Sequence, residues 1–174
     1  MAFDPHTQIP EQVRRSLEND FVLRFTTTGR RTGAPRTFET TFVWDGGRTI
    51  FVSGYPGKRD YVANLGASPS AVLHTVEGGI SYDIPASVRV LRDREDRTGP
   101  LLAFIEHWAS RMQGQRQCFM LVVRAVRYNR RLHLPWWGPF YFVRRVLDRM
   151  PCVEFTITGP PTPRQGPPPV SRPG

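Results

Sequence analysis

Between Gly29 and Gly33 the chain places Arg30, Arg31 and Thr32, and Arg36 follows three residues later. Glycine accepts positive φ at little cost, so a loop bracketed in this way can turn successive backbone N–H groups toward one point, an anion-binding nest. Arg30, Arg31 and Arg36 would add planar, permanently charged forks suited to phosphate or carboxylate. Taken alone, the loop reads first as a solvated hairpin whose arginines confer solubility.

The order of the pieces around it says more. Thr27 to Arg36 (TTGRRTGAPR) is followed at close spacing by Asp45-Gly46-Gly47, then Ser53-Gly54, then Asn64-Leu65-Gly66-Ala67-Ser68-Pro69. This run, roughly Phe21 to Val90, resembles the deazaflavin-dependent nitroreductase family, a branch of the split β-barrel flavin-binding proteins. The resemblance implies a bound coenzyme F420, a hydride carrier with a phosphodiester and an acidic oligoglutamate tail. FMN is the alternative cofactor. It further implies an oxidoreductase that passes a hydride to a hydrophobic, electron-poor acceptor of the quinone or nitro type. Carried over by position, Arg30, Arg31, Thr32 and Arg36 match the anion-holding loop. Ser53 and Gly54 match the strand end under the ring, and Lys58, Arg59 and Asn64 match a second polar cluster. Departures from the pattern are a short loop from Gly54 to Asp60, Tyr61-Val62-Ala63 where members commonly carry tryptophan, and a segment at 118–150 without counterpart.

The elements that must hold these residues follow from periodicity. Phe21 to Thr28 is a strand rich in β-branched and aromatic residues. Thr37 to Trp44 alternates as one continuous strand, Asp45-Gly46-Gly47 turns it, and Thr49 to Ser53 returns. Asp60 is placed to cap a short helix, Tyr61 to Leu65. Ala71 to Val76 and Tyr82 to Leu91 are two further strands around Glu77-Gly78-Gly79, the second an edge or bulged strand because Pro85 cannot donate to a ladder. From Arg94 the period becomes helical, with Leu101, Phe104, Ile105, Trp108 and Met112 on one stripe. Residues 118–150 mix aromatic residues with arginines, and period does not decide helix or strand for the first third. Pro139 to Met150 reads as an amphipathic helix, and Val153 to Ile157 as a closing strand. The expectation is a mainly β, α+β split barrel at 21–158, an arm at 1–20 with a short amphipathic turn through Val13 and Leu17, and a disordered proline-rich tail at 159–174.

Composition bounds the function. A chain of 174 residues suits one domain, and its net charge of +9 suits an acidic partner. Lys58 is the only lysine. Nucleic-acid binding would rest on charge alone and is set aside. No metal-ligand spacing, carboxylate pair or nucleophile triad is present, so no catalytic residue is assigned. His74 reads as a satisfied core histidine, while His107 flanks an apolar stripe. The two cysteines, Cys118 and Cys152, form no framework and fit a reducing compartment, which with the absence of a signal-like start points to the cytoplasm. Tyr55, Trp136 and Trp137 are candidates for the substrate pocket, the tryptophans as an aromatic lid. The rival reading of the aromatic, arginine-rich segment is a contact with a membrane surface.

Overall fold

The computed structural model describes residues 3–54, 57–76, 80–111, 116–136, 138–167 and 169–170. In chain order its elements are α1 (Pro5–Gln8), α2 (Glu11–Asn19), β1 (Leu23–Thr28), β2 (Pro35–Thr40), β3 (Phe42–Trp44), β4 (Thr49–Val52), α3 (Asp60–Ala67), β5 (Ser70–Thr75), β6 (Tyr82–Val90), α4 (Arg94–Arg111), α5 (Arg116–Arg131), α6 (Pro139–Arg149), β7 (Val153–Ile157) and β8 (Thr162–Pro163). The strands form one antiparallel sheet in the order β2-β1-β5-β6-β7-β4-β3, with β8 added on β6.

That order makes the sheet curl. β2 and β3 are its two ends, yet a single residue, Thr41, separates them in the chain. The edges must therefore come together, giving a barrel that fails to close between β2 and β3. The expected single strand from Thr37 to Trp44 is thus two strands. The hydroxyls of Thr40 and Thr41 donate to the Ser53 carbonyl at 3.3 and 3.4 Å where the chain changes edge. Alternation cannot reveal such a break, because both halves keep period two across it.

The barrel is filled by Leu23, Phe25, Phe42, Ile50, Val52, Leu73, Ile84, Phe155 and Ile157, and α2 adds Val13 and Leu17. The helix expected as a single turn near Val13 thus spans nine residues, and the arm is part of the core. Phe25 sits at its centre, with ring centroids 5.3 Å from Phe155, 5.6 Å from Phe38 and 5.5 Å from Tyr61 on α3. A second cluster forms on the outer face of β3 and β4, where Val43 and Phe51 meet Leu101 and Phe104 of α4, Val123 and Val126 of α5 and Leu147 of α6. β3 and β4 are therefore buried on both faces, which is why their apolar residues run together.

Three further expectations change. β6 is interior rather than an edge, paired with β5 on one side and with β7 and β8 on the other. Pro85 sits in the gap between the β7 and β8 pairings, where its carbonyl accepts from Thr158 at 2.9 Å and no ladder donor is required of it. Asp60 opens α3 as its first residue; Arg59 occupies the cap position, without a side-chain cap bond. The tail, expected to be disordered, is held as far as Arg164: Thr162 pairs with Asp83 in β8, and Arg164 Nη1 lies 2.9 Å from Asp83 Oδ2. Met112 and the Glu77–Gly79 turn lie outside the described residues.

Candidate cofactor groove

The unclosed seam opens into a groove of about 1010 Å³, at the upper end of the range usual for small-molecule and cofactor sites. Its walls combine two chemistries. Phe38, Tyr61, Val90, Leu91 and Met150 give an apolar part, and Arg30, Lys58, Arg59, Arg92, Arg97 and Arg149 supply cations. Glu39, Asp60 and Asp148 also reach it, so the lining carries a net positive charge.

The β1–β2 loop brings Arg30 to this groove. Gly29 donates to the Ala34 carbonyl at 2.9 Å and Gly33 donates to the Gly29 carbonyl at 2.9 Å, closing a tight turn. Gly33 has φ of +68°, and a Cβ at Gly29 would stand 3.0 Å from the Ala34 oxygen. Both positions therefore favour glycine. The backbone N–H of Arg30 donates to Asn64 Oδ1 at 3.3 Å, and that of Ala34 to Thr32 Oγ1 at 3.4 Å. The N–H groups of Gly33 and Ala34 are thus bonded within the loop and that of Arg30 to α3, instead of being presented together as a nest. What it presents to a ligand is side-chain charge.

The remaining sequence candidates divide. Gly54, Lys58 and Arg59 line the groove with Arg30. Arg31 and Thr32 stand exposed on the loop, and Arg36 stands exposed at the start of β2, all three outside the lining. Asn64 is buried outside the lining and contacts Arg30, whose Nη1 also approaches Asn64 Oδ1 at 3.5 Å. Ser53 is buried and donates from Oγ to the Pro151 carbonyl at 2.6 Å, fixing the strand end on which Gly54 follows. Trp136 packs in the second cluster rather than on the groove wall. Tyr55 and Trp137 lie outside the described residues.

Residues 6–90 match the family of the F420H(2)-dependent quinone reductases. This stretch belongs to that family. The match covers β1 to β6 with α2 and α3, just under half of the chain, and supports an oxidoreductase of the F420-dependent reductases. No curated protein sequence matches the chain. Among solved structures, a candidate 5-nitroimidazole antibiotic resistance protein from Bacteroides thetaiotaomicron superposes with a TM-score of 0.55 at 10% identity, over 85% of this chain and 80% of its own. The heme storage protein HutZ from Vibrio cholerae gives 0.51 at 13% identity, over 88% and 89%. A candidate pyridoxamine 5'-phosphate oxidase from Lactobacillus delbrueckii gives 0.50 at 12% identity, over 90% and 96%. At such identities the likeness speaks for the fold, which is the split β-barrel.

The other half of the groove comes from beyond the family region and escaped sequence reasoning. Arg97, Asp148, Arg149, Met150 and Cys152 close it from α4 and the end of α6. Arg97 donates to the carbonyls of Leu147 at 3.0 Å, Asp148 at 3.3 Å and also Met150, so it caps the exposed C-terminal carbonyls of α6. Its Nε is buried without a partner among the described residues. One signal was available: the stripe Leu101, Ile105 and Trp108, carried back one turn, lands on Arg97.

Neither buried ionisable group in the wall is charged near neutral pH. Burial raises the Tyr61 phenol to about 12, against the pull of the Arg59 charge and the Thr40 hydroxyl. Burial also lifts the Cys152 thiol to about 11, although Arg97 lowers it. Tyr61 is thus a hydrogen-bond donor and Cys152 a neutral, weakly nucleophilic thiol. Among the described residues no group of three His, Cys, Asp or Glu side chains could hold a metal ion.

Proposed function

We propose that the groove binds the deazaflavin F420 and that the protein reduces a quinone-type acceptor. When bound, reduced F420 supplies a hydride. The observation that carries this reading is that Arg30, Gly54, Lys58 and Arg59, all within the family region, line one groove. The residues present fit the group. A planar ring suits the apolar wall of Phe38, Tyr61, Val90, Leu91 and Met150, and an acidic phosphodiester tail suits Arg30, Lys58 and Arg59. Arg97 has a buried Nε–H still without an acceptor in the same lining.

The chain's own contribution is binding, orientation and shielding. Gly54, with no side chain, lets a ring approach the backbone, and Ser53 holds that backbone in place through Pro151. Arg31, Thr32 and Arg36 are available to the part of an acidic tail that extends beyond the groove. Tyr61 keeps its proton across the physiological range and so offers a donor, not a base. Its phenol is too weak an acid to match an ideal general acid near neutral pH.

Equilibrium titration followed by ring fluorescence tests the reading. F420 binds more tightly than FMN, because the cations exceed what one phosphate requires. Replacing Arg30 or Lys58 with alanine weakens F420 binding by about 1 to 3 kcal/mol, and the loss shrinks as salt rises. Equal or tighter binding of FMN would instead assign the groove to FMN.

A further inference from the structure

Helix α5 carries one broad apolar face beside its arginines, and only part of that face is covered. Toward the second cluster it buries Val123 and Val126. Farther round the same face, beyond the exposed Val122, the residues Leu121, Ala125, Tyr128 and Leu132 recur four, three and four residues apart, an arc of about 60° at 3.6 residues per turn. All four are exposed, Leu121 and Tyr128 at 65% and Leu132 at 47%. Past the helix, Leu134, Tyr141 and Phe142 are exposed as well, Phe142 at 70%. Exposed apolar residues in such a sequence mark an interaction surface rather than the scatter of an ordinary one.

The charge around this stripe identifies the occupant. Between Glu106 and Asp148 the sequence contains eight arginines and no acidic residue. Outside that segment sixteen basic residues stand against fifteen acidic ones, so nearly the whole net charge of +9 lies here. Arg127 is tied to Glu106 and Arg144 to Asp148, the two carboxylates that border the segment. Arg124 and Arg131 are exposed and flank the apolar stripe on the helix. A second copy laid on this face would bring two strongly positive segments together. Nucleic acid would meet the arginines but leave the leucines without a partner.

We infer that α5 and the turn after it dock on an anionic lipid surface. Leu121, Tyr128 and Leu132 enter the boundary of the acyl chains, while Arg124 and Arg131 meet the headgroups. Among the described residues no helix is long and apolar enough to cross a membrane, so the contact is with the surface. It lies outside the family region and is independent of which cofactor the groove takes.

Co-sedimentation of the full chain with vesicles tests this. With equal parts phosphatidylglycerol and phosphatidylcholine at low salt the protein pellets, and with phosphatidylcholine alone it stays in the supernatant. Leu121→Glu with Leu132→Glu lowers the partition coefficient at least about tenfold, the scale of one buried leucine side chain. Arg124→Gln and Arg131→Gln each lower it about fivefold, and less as salt rises. Melting curves establish that the variants fold, and Tyr128→Ser serves if the double glutamate does not. The inference is overturned if the wild type does not pellet with anionic vesicles, or if a folded leucine variant still does. It is also overturned if sedimentation velocity shows a dimer that Leu121→Glu dissolves, which assigns the face to a second copy.

Discussion

Asn64 Oδ1 accepts the backbone N–H of Arg30 at 3.3 Å, joining helix α3 to the loop that carries the groove's first arginine. The amide is buried, and Arg30 Nη1 stands 3.5 Å from the same oxygen and 4.0 Å from Asp60 Oδ1. One side chain therefore sets both the path of the loop and the aim of its charge. Asn64→Ala is expected to weaken F420 binding by about 1 kcal/mol, roughly fivefold, the worth of an ordinary hydrogen bond. If Asn64 acts through Arg30, Asn64→Ala combined with Arg30→Ala costs less than the sum of the two changes. Strict additivity in the fluorescence titration would show that the two act separately.

How far the sequence carried depends on what kind of interaction forms each element. Strands such as Leu23–Thr28 and Val153–Ile157 were legible because alternate residues face the barrel core, a local pattern. The break at Thr41 was not, since it exists only because β2 and β3 end on opposite edges of one curled sheet. α5 stayed undecided because it opens with an unbroken apolar run, Cys118 to Val123, that fits a buried strand as well as a helix, although its arginines gather on one helical side. The groove was half legible. Arg30, Gly54, Lys58 and Arg59 came from motif order, whereas Cys152 arrives through packing of distant elements that no spacing records, and the helical stripe that reaches Arg97 does not say that it faces the groove. For the tail, proline-rich composition argues for an average, while its first residues are held by specific contacts, the β8 pairing and the Arg164–Asp83 ion pair.

His74 makes stability depend on pH. Its ring is buried, with Nε2 2.8 Å from Thr26 Oγ1 and Nδ1 2.7 Å from Asp83 Oδ1, so its sequence reading as a satisfied core histidine describes it well. Burial lowers its pKa from 6.5, with the hydrogen bond and charge of Asp83 opposing. The folded state then binds fewer protons than the unfolded chain below about pH 6.5. Stability is accordingly full above that value and declines as pH falls toward the folded-state pKa. Urea unfolding midpoints should drop between pH 7 and pH 5 in the wild type, and less in His74→Gln. An identical drop in both proteins would place the acid sensitivity elsewhere.

Arg97 joins fold to site, and one substitution can separate the two roles. Its guanidinium donates to Leu147 and Asp148 at the end of α6 and also to Met150, while its Nε in the groove lining has no partner among the described residues. Arg97→Lys keeps the positive charge but loses the planar fork that reaches several carbonyls at once. Leaving those carbonyls short of donors should cost about 1 to 3 kcal/mol of stability without ligand. If the Nε–H completes its bonding on a bound cofactor, F420 raises the melting temperature of the wild type more than that of Arg97→Lys. Thermal unfolding with and without F420 reads both quantities. A variant that melts early but gains as much from F420 as the wild type confines Arg97 to holding α6. One that melts like the wild type removes it from the support of α6 as well.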